Sequence, residues 1–229
     1  MPRSRSTRPR GFAQVTPNLG ENLGLEDLLA RMEEPDARVS GSAFSGLELA
    51  DVTAHGTTFE NVVFRGCTFD CVSLSGCTFT DVLFSGCRFI RCDMGRSWLN
   101  RVDFSSCSAP GMTFVKGRLT GVLMTDSQFG YCDFAEASVS RLRASSTSLA
   151  EANVFSTKLS HVELDRCDLT RATLYRVSLA GVDLSTCDIS GVRVSGDFRE
   201  LRGAEVSAEQ AVQLAGLLGI KIKEEEWLS

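Results

Sequence analysis

The sequence lacks a long apolar run. Although 43% of its 229 residues are hydrophobic, no stretch approaches the roughly 18 consecutive apolar residues of a membrane-spanning helix. The first residues carry Arg3, Arg5, Arg8 and Arg10 without an apolar stretch behind them, which is unlike a secretory signal. We therefore expect a cytoplasmic protein without membrane association, whose core is assembled from apolar residues spread along the chain.

The residue types of catalytic and metal sites are also scarce. There are two histidines, His55 and His161, which lie far apart in the sequence, and there is no CxxC pair and no phosphate-binding glycine loop. Metal ligands must converge on one point, and a catalytic histidine needs a partner within hydrogen-bond reach. The sequence therefore predicts a protein that is not an enzyme and that carries no cofactor and no metal.

Cysteine, by contrast, is abundant, and four of the nine cysteines fall between Asn61 and Phe89. Such a cluster is typical of a metal site, a redox site or a set of disulfides. Without a secretory signal, the thiols are expected to be reduced. The spacing of the apolar residues decides between these interpretations.

The chain repeats with a period of five. Every fifth residue from Val39 to Val194 is Leu, Ile, Val, Met, Phe or Ala, which makes 32 positions without a break in register. This period fits neither a helix nor a flat strand, but it fits a solenoid that turns a corner every five residues. Eight of the nine cysteines, all but Cys71, stand two residues before one of these apolar positions. We therefore expect the cysteines to point inward and to pack as small hydrophobic side chains.

A slower period of twenty lies on top of the first. Phe44, Phe64, Phe84 and Phe104 are twenty residues apart, and residues 37–196 keep this interval throughout. One coil therefore has four sides, and like residues stack on like. The prediction is an all-β solenoid of about eight coils, paired as strands about 4.8 Å apart.

Several five-residue units resemble the motif of the pentapeptide-repeat family, which is a small residue, a polar residue, Leu or Phe, and two variable residues. The closest are ANVFS (Ala152–Ser156), CDLTR (Cys167–Arg171) and VDLST (Val182–Thr186). The resemblance implies a right-handed quadrilateral parallel β-helix. It also implies a non-enzymatic rod that presents a surface to a protein partner.

The resemblance offers a narrower alternative as well. Well-understood bacterial members imitate duplex DNA, bind DNA gyrase or topoisomerase, and protect it from quinolones or peptide toxins. This chain has no loop inserted between its repeats, so it is most similar to the mycobacterial quinolone-resistance type. Its repeats carry 15 basic and 16 acidic residues, however, whereas members of that type are strongly acidic. On either reading, direct binding to nucleic acid is not expected.

The two ends differ from the repeats. Residues 1–18 are expected to be a disordered basic tail, and residues 19–36 a cap with a helix that carries Leu25, Leu28, Leu29 and Met32 at helical spacing. Residues 197–229 contain a capping box, Ser207 and Gln210, before an apolar helix. This C-terminal segment is expected to cover the last coil, to form a homodimer, or to do both. The candidate dimer residues are Val212, Leu214, Leu217 and Leu218.

Outward positions of the repeats suggest candidate partner surfaces. One column holds Val63, Leu83 and Leu123, interrupted by Asp103, and Trp98 is also predicted to point outward. A second column holds Val115, Ala135, Phe155 and Tyr175. Stacked exposed apolar residues favour a binding surface. The alternative is an ordinary strand surface made of residues with high β-propensity.

Charge is uneven along the repeats. Between residues 88 and 118, six basic residues are accompanied only by Asp93 and Asp103; the basic residues are Arg88, Arg91, Arg96, Arg101, Lys116 and Arg118. A basic belt of this kind can contact nucleic acid or an acidic protein, or it can be a solvated face.

Overall fold

The computed structural model describes residues 11–15, 19, 22–32, 36–54 and 56–221. The chain begins with the short strand β1 (Asn22–Leu23) and the helix α1 (Leu25–Met32), and it ends with a 3-10 helix (Arg199–Leu201) and the helix α2 (Ala208–Leu217). Between them lie ten strands: β2 (Arg38–Ser45), β3 (Glu48–Ala50), β4 (Thr58–Arg65), β5 (Thr68–Asp70), β6 (Thr78–Ser85), β7 (Arg88–Ile90), β8 (Trp98–Ser105), β9 (Arg118–Thr125), β10 (Ser138–Ser145) and β11 (Lys158–Asp165). None of the helices in the described part of the chain has both the length and the apolar character needed to cross a membrane.

The strands form two parallel sheets on different sides of one solenoid. The long strands stack in the order β1, β2, β4, β6, β8, β9, β10 and β11, and the short strands β3, β5 and β7 make the second sheet. Phe64 pairs with Phe84, and Phe84 pairs with Phe104, so each coil is twenty residues long. The predicted parallel β-solenoid is confirmed.

The regular part of the solenoid is slightly shorter than predicted. Six steps of twenty residues separate Arg38 in β2 from Lys158 in β11. Beyond Asp165 the coil continues through turns and single bridges, such as Thr173 to Arg193, instead of long strands. The ladder of long strands therefore has about six turns, against the eight coils expected from the repeat.

Phenylalanine stacks fill the first part of the core. The ring of Phe84 lies 5.1 Å from that of Phe64 and 5.0 Å from that of Phe104, and both pairs are nearly parallel. The ring of Phe89 meets Phe84 edge-on at 5.3 Å. Because neighbouring columns of rings interlock in this way, the repeat spacing itself produces a close-packed interior.

The cysteines point inward, as predicted. Eight of them are buried and Cys71 is half-buried. The thiol of Cys92 donates to the carbonyl oxygen of Phe69 at 3.3 Å, and Ser97 at the equivalent position donates to Leu74 at 2.7 Å. Where this position holds cysteine, serine or threonine, the side chain can donate a hydrogen bond to the coil below.

The corners of the solenoid have left-handed backbone. Every fifth residue from Asp36 to Gly191 has a positive φ, with Thr186 the only exception. The predicted corner glycines, Gly66 among them at φ +56°, follow this rule, but 21 residues with a side chain do so as well. Thr186 is also the one β-branched residue at these positions. A branched Cβ is strongly disfavoured at positive φ, so the corners tolerate almost any residue without that branch.

Each end of the solenoid is covered. At the first coil, Leu28 of α1 is buried and Leu25 and Met32 pack against the core. At the last coil, the amide Nε2 of Gln210 donates to the carbonyl oxygens of Leu184 (2.8 Å) and Cys187 (2.7 Å).

The capping segment also uses a carboxylate. Buried Glu200 accepts hydrogen bonds from the backbone N–H of Arg176 at 2.9 Å and from the hydroxyl of Ser195. Its oxygens thereby stand in for the carbonyl that a further coil would offer. Polar groups of the last coil that would otherwise be unpaired are satisfied in this way.

Candidate binding surfaces

A segment near the N-terminus lies along one side of the rod. We call Gly11–Val15 the strap. Within it Phe12, Ala13 and Val15 are buried, at 5%, 0% and 3% exposure. Ala13 and Val15 pack against outward side chains of three successive coils, which are Ala43, Val63 and Leu83. Part of the range predicted to be a disordered tail is therefore seated on the rod; the rest of residues 1–18 lies outside the described residues.

Side chains, rather than a strand ladder, hold the strap in place. The guanidinium of Arg143 lies over the ring of Phe12, 5.1 Å from its centre. The backbone N–H of Gln14 donates to Asp81 Oδ1 at 3.2 Å. Arg101 holds Asp81 through contacts of 2.8 and 2.5 Å, and this pairing lowers the pKa of the Asp81 carboxyl.

Glycine makes room for the strap at one point. A Cβ added at Gly121 would collide with the carbonyl oxygen of Gly11, whereas a Cβ at Gly111 would have no neighbour within 4 Å. Both glycines have nearly the same φ, +68° and +69°. Gly121 is therefore needed for the passage of the strap as well as for the corner.

The first predicted column is thus largely occupied by the chain itself. Val63 and Leu83 are buried beneath the strap. Leu123 is not part of this cluster and is half-buried, in an open groove of about 550 Å³ that also contains Val162 and Leu164. The structure divides this column into a covered part and an open part.

The second column and Trp98 remain at the surface. Val115, Ala135 and Phe155 are half-buried, and Tyr175 is 38% exposed. The guanidinium of Arg176 lies 5.5 Å from the centre of the Phe155 ring and covers part of it. Trp98 is 49% exposed, and its strand neighbour is Arg118.

The basic belt is partly neutralised by carboxylates on adjacent coils. Arg91 pairs with Asp70 at 2.7 Å, and Lys116 pairs with Glu136 at 3.7 Å. Arg101 is bound to Asp81, as described above. Among the described residues, Arg88, Arg96 and Arg118 have no carboxylate within ion-pair distance. All three acidic partners lie outside the range 88–118. Asp81 and Glu136 are twenty residues from their basic partners, and Asp70 is 21 residues from Arg91, so a comparison between adjacent coils is needed to find them in the sequence.

The C-terminal end is the most apolar part of the surface. Seven large hydrophobic residues are exposed in the described part of the chain, and four of them fall within nine residues: Val212 at 51%, Leu217 at 46%, Leu218 at 56% and Ile220 at 55%. Of the predicted dimer residues only Leu214 packs against the core. A groove of about 430 Å³ runs between α2 and the 3-10 helix and contains Phe198, Leu201 and Leu218. We call the four exposed residues Val212, Leu217, Leu218 and Ile220 the apolar end.

The described residues contain no group of three or more His, Cys, Asp and Glu that is arranged to hold a metal ion. His161 is exposed at a corner of the rod, and His55 lies outside the described residues. The surfaces above are therefore the candidate functional sites of the described residues.

Comparison with known proteins agrees with the geometry. One model of pentapeptide repeats matches residues 44–88 and 54–98, and a second matches residues 152–191. No curated protein sequence matches the chain.

Among solved structures, the chain is similar to a trypsin-treated form of QnrB1, a plasmid-mediated fluoroquinolone resistance protein. The identity is 20% and the TM-score 0.40, over 79% of this chain and 100% of that one. It is also similar to HetL, a pentapeptide repeat protein involved in heterocyst differentiation regulation from the cyanobacterium Nostoc sp. strain PCC 7120. There the identity is 15% and the TM-score 0.34, over 80% of this chain and 95% of that one. The unbroken five-residue repeat, its four-sided parallel coils and the matching repeat models show that the chain belongs to the pentapeptide-repeat family.

Proposed function

We propose that this protein is a non-enzymatic binding rod, which dimerises through its C-terminal segment and presents its sides to a protein partner. The observation that carries the proposal is the apolar end. Contiguous exposed apolar side chains at one place on a soluble protein mark an interaction surface. Here they lie on α2 and on the three residues that follow it, at the tip of a rod.

The way in which α2 caps the rod leaves its apolar residues unused. Gln210, a polar residue, makes the hydrogen bonds to the last coil, and among the predicted dimer residues only Leu214 reaches the core. Among the described residues, Val212, Leu217 and Leu218 are therefore exposed and do not pack against the core. A two-fold dimer needs one self-complementary patch, and an apolar helix at the tip provides it without blocking the sides of the rod.

The mass of the full chain in solution tests the dimer. We expect a dimer at tens of micromolar and a monomer for the double variant Leu217→Glu, Leu218→Glu. The matched control is Trp98→Glu, Tyr131→Glu, which alters two exposed aromatic residues away from the tip and should stay dimeric. A monomeric parent protein, or a variant that stays dimeric while its circular dichroism is unchanged, would rule out this interface.

The alternative implied by the family resemblance is a DNA mimic that protects DNA gyrase or topoisomerase. The near-balance of 15 basic and 16 acidic residues in the repeats and the ion pairs between coils weigh against it, because a DNA mimic needs a continuous negative field. A gyrase supercoiling assay with added protein, with and without a fluoroquinolone, separates the two. Protection of gyrase would support the mimic, and no effect at saturating protein would leave the general binding rod.

A further inference from the structure

The interior of the rod changes composition along its axis. Eleven of the chain's fourteen phenylalanines occupy central positions, and all eleven lie at or before Phe134. From Val139 to Val194 the same positions hold seven leucines and no phenylalanine. A leucine side chain is shorter than a phenylalanine ring, so four inward leucines reach less far toward the axis than four inward rings.

The structure shows the result as a difference in cavity volume. In the phenylalanine part, the cavity between the cap helix α1 and rings such as Phe64 and Phe84 measures about 10 Å³. In the leucine part, a cavity of about 80 Å³ extends from Met124 to Leu201. Met124 and Leu201 are nearly four coils apart, so the cavity is elongated along the axis over roughly 15–19 Å.

The lining decides what such a cavity can hold. Only apolar atoms of the described residues form its surface. A buried water needs two to four polar partners, so an apolar cavity of this kind stays dry. Its lining then lacks dispersion contacts on one side. An apolar guest restores those contacts and does not have to displace water.

We propose that the leucine part of the lumen is a binding site for small, narrow apolar molecules of the size of xenon or a light hydrocarbon. The volume is about half that of the roughly 150 Å³ apolar cavity that accepts benzene in another protein, so the guest must be smaller than an aromatic ring. The elongated shape favours a linear guest over a branched one.

The wall of the cavity at β11 provides the route of entry. Val162 and Leu164 of β11 line both this cavity and the open groove of about 550 Å³, and both are half-buried. The ladder of long strands ends at β11. A guest therefore enters beside this strand, without separation of the earlier coils.

Two leucine variants test the site. Leu149→Phe places a ring over Phe129, one coil below, and into the cavity. Leu74→Phe makes the same change beside the cavity of about 10 Å³ and is the matched control. Xenon at a few atmospheres is the probe, with helium at the same pressure as the reference gas.

We expect xenon to raise the melting temperature of the parent protein by about 1–2 °C relative to helium and to shift the methyl NMR signals of Leu169 and Leu174 but not that of Leu74. Leu149→Phe should lose both effects, and Leu74→Phe should keep the methyl shifts. Absence of a xenon effect in the parent protein, or an equal effect in Leu149→Phe, would overturn the proposal. The parent protein's methyl shifts decide the matter even where a variant folds poorly.

Discussion

The carbonyl oxygen of Gly11 rests on the backbone of Gly121, where any side chain would displace it. This contact joins the strap to a coil more than a hundred residues away in the sequence. It also separates two roles of a glycine, because Gly111 adopts the same corner conformation with open space around it.

We predict that Gly121→Ala destabilises the protein by about 1–3 kcal/mol more than Gly111→Ala does. The left-handed conformation costs both variants about 1–2 kcal/mol, and the excess reflects lost burial of Phe12 and Val15. Chemical denaturation gives the two losses, and hydrogen exchange at residues 12–15 reports release of the strap. Equal losses with unchanged exchange would mean that the strap is not seated on Gly121.

Phe84→Ala should cost about 3–5 kcal/mol of unfolding free energy, because it leaves a cavity among rings that cannot collapse. Phe84 is fully buried and stacks on two rings. Urea denaturation provides the measurement, with Ser85→Ala at the next, outward position as the control. A loss below about 1 kcal/mol, well under the range of large-to-small core substitutions, would mean that the inward register is wrong.

The inward thiols should react slowly with a thiol reagent in the native protein. Burial raises the pKa of Cys77 to about 11 and that of Cys132 to about 12, so the reactive thiolate of these two is scarce at neutral pH. The other six inward thiols are also buried, which keeps the reagent away from them. Cys71 is half-buried and should be labelled first, while all nine should react after denaturation. Mass spectrometry of labelled peptides gives the order. Rapid native labelling of Cys67, Cys77 and Cys87, or stoichiometric zinc in the purified protein, would contradict this account.

Glu200 should make the C-terminal cap sensitive to acid. Burial by itself raises the pKa of Glu200, but hydrogen bonds from Ser195 and from the Arg176 N–H outweigh burial and lower it. A carboxyl with a lowered pKa in the folded state stabilises the protein above its unfolded pKa, which is about 4.3. That stability is lost as the pH falls through the folded pKa.

The variant Glu200→Gln isolates this effect. We expect it to be less stable than the parent protein at pH 7 and to lose less stability between pH 5 and pH 3. Unfolding free energies across that range give the comparison, and Glu209→Gln, at an exposed position of α2, is the control. Parallel curves for the parent protein and Glu200→Gln would show that the carboxylate does not hold the cap in its ionised form.

The sequence predicts those features of the structure that repeat from coil to coil. The inward positions of Phe84 and the cysteines, the twenty-residue coil and the corner glycines all follow from the spacing, since each coil repeats the environment of the one before. The strap does not repeat. Phe12 and Val15 carry no signal of their target, and the burial of Val63 and Leu83 depends on a contact between segments of unrelated pattern.

The ion pairs between coils can be predicted only in part. Arg101 and Asp81 are twenty residues apart, as are Lys116 and Glu136. The period therefore predicts each pair when charges are compared between adjacent coils, instead of among neighbours in the sequence. The C-terminal cap is also predictable only in part. The sequence predicts the capping box of Ser207 and Gln210, which is present in the structure. The two bonds from Gln210 to the last coil depend on how α2 docks, which no local pattern specifies.

Because a coil has twenty residues, the length of the rod determines the directions in which its surfaces face about the axis. Inserting or deleting one residue within the coils would shift later residues out of their inward or outward positions, so the coils keep their register only when their length changes by whole units of five. A change of five keeps the core intact but rotates all later surfaces by a quarter turn about the axis. The strap lies along one side of the rod, from Ala43 to Arg143, and the apolar end lies beyond the last coil. Between Arg143 and the apolar end, only a change of twenty residues preserves the angle between the strap and the apolar end. A family of such rods can therefore vary in reach while pointing its two ends in fixed relative directions, but only in steps of about 5 Å.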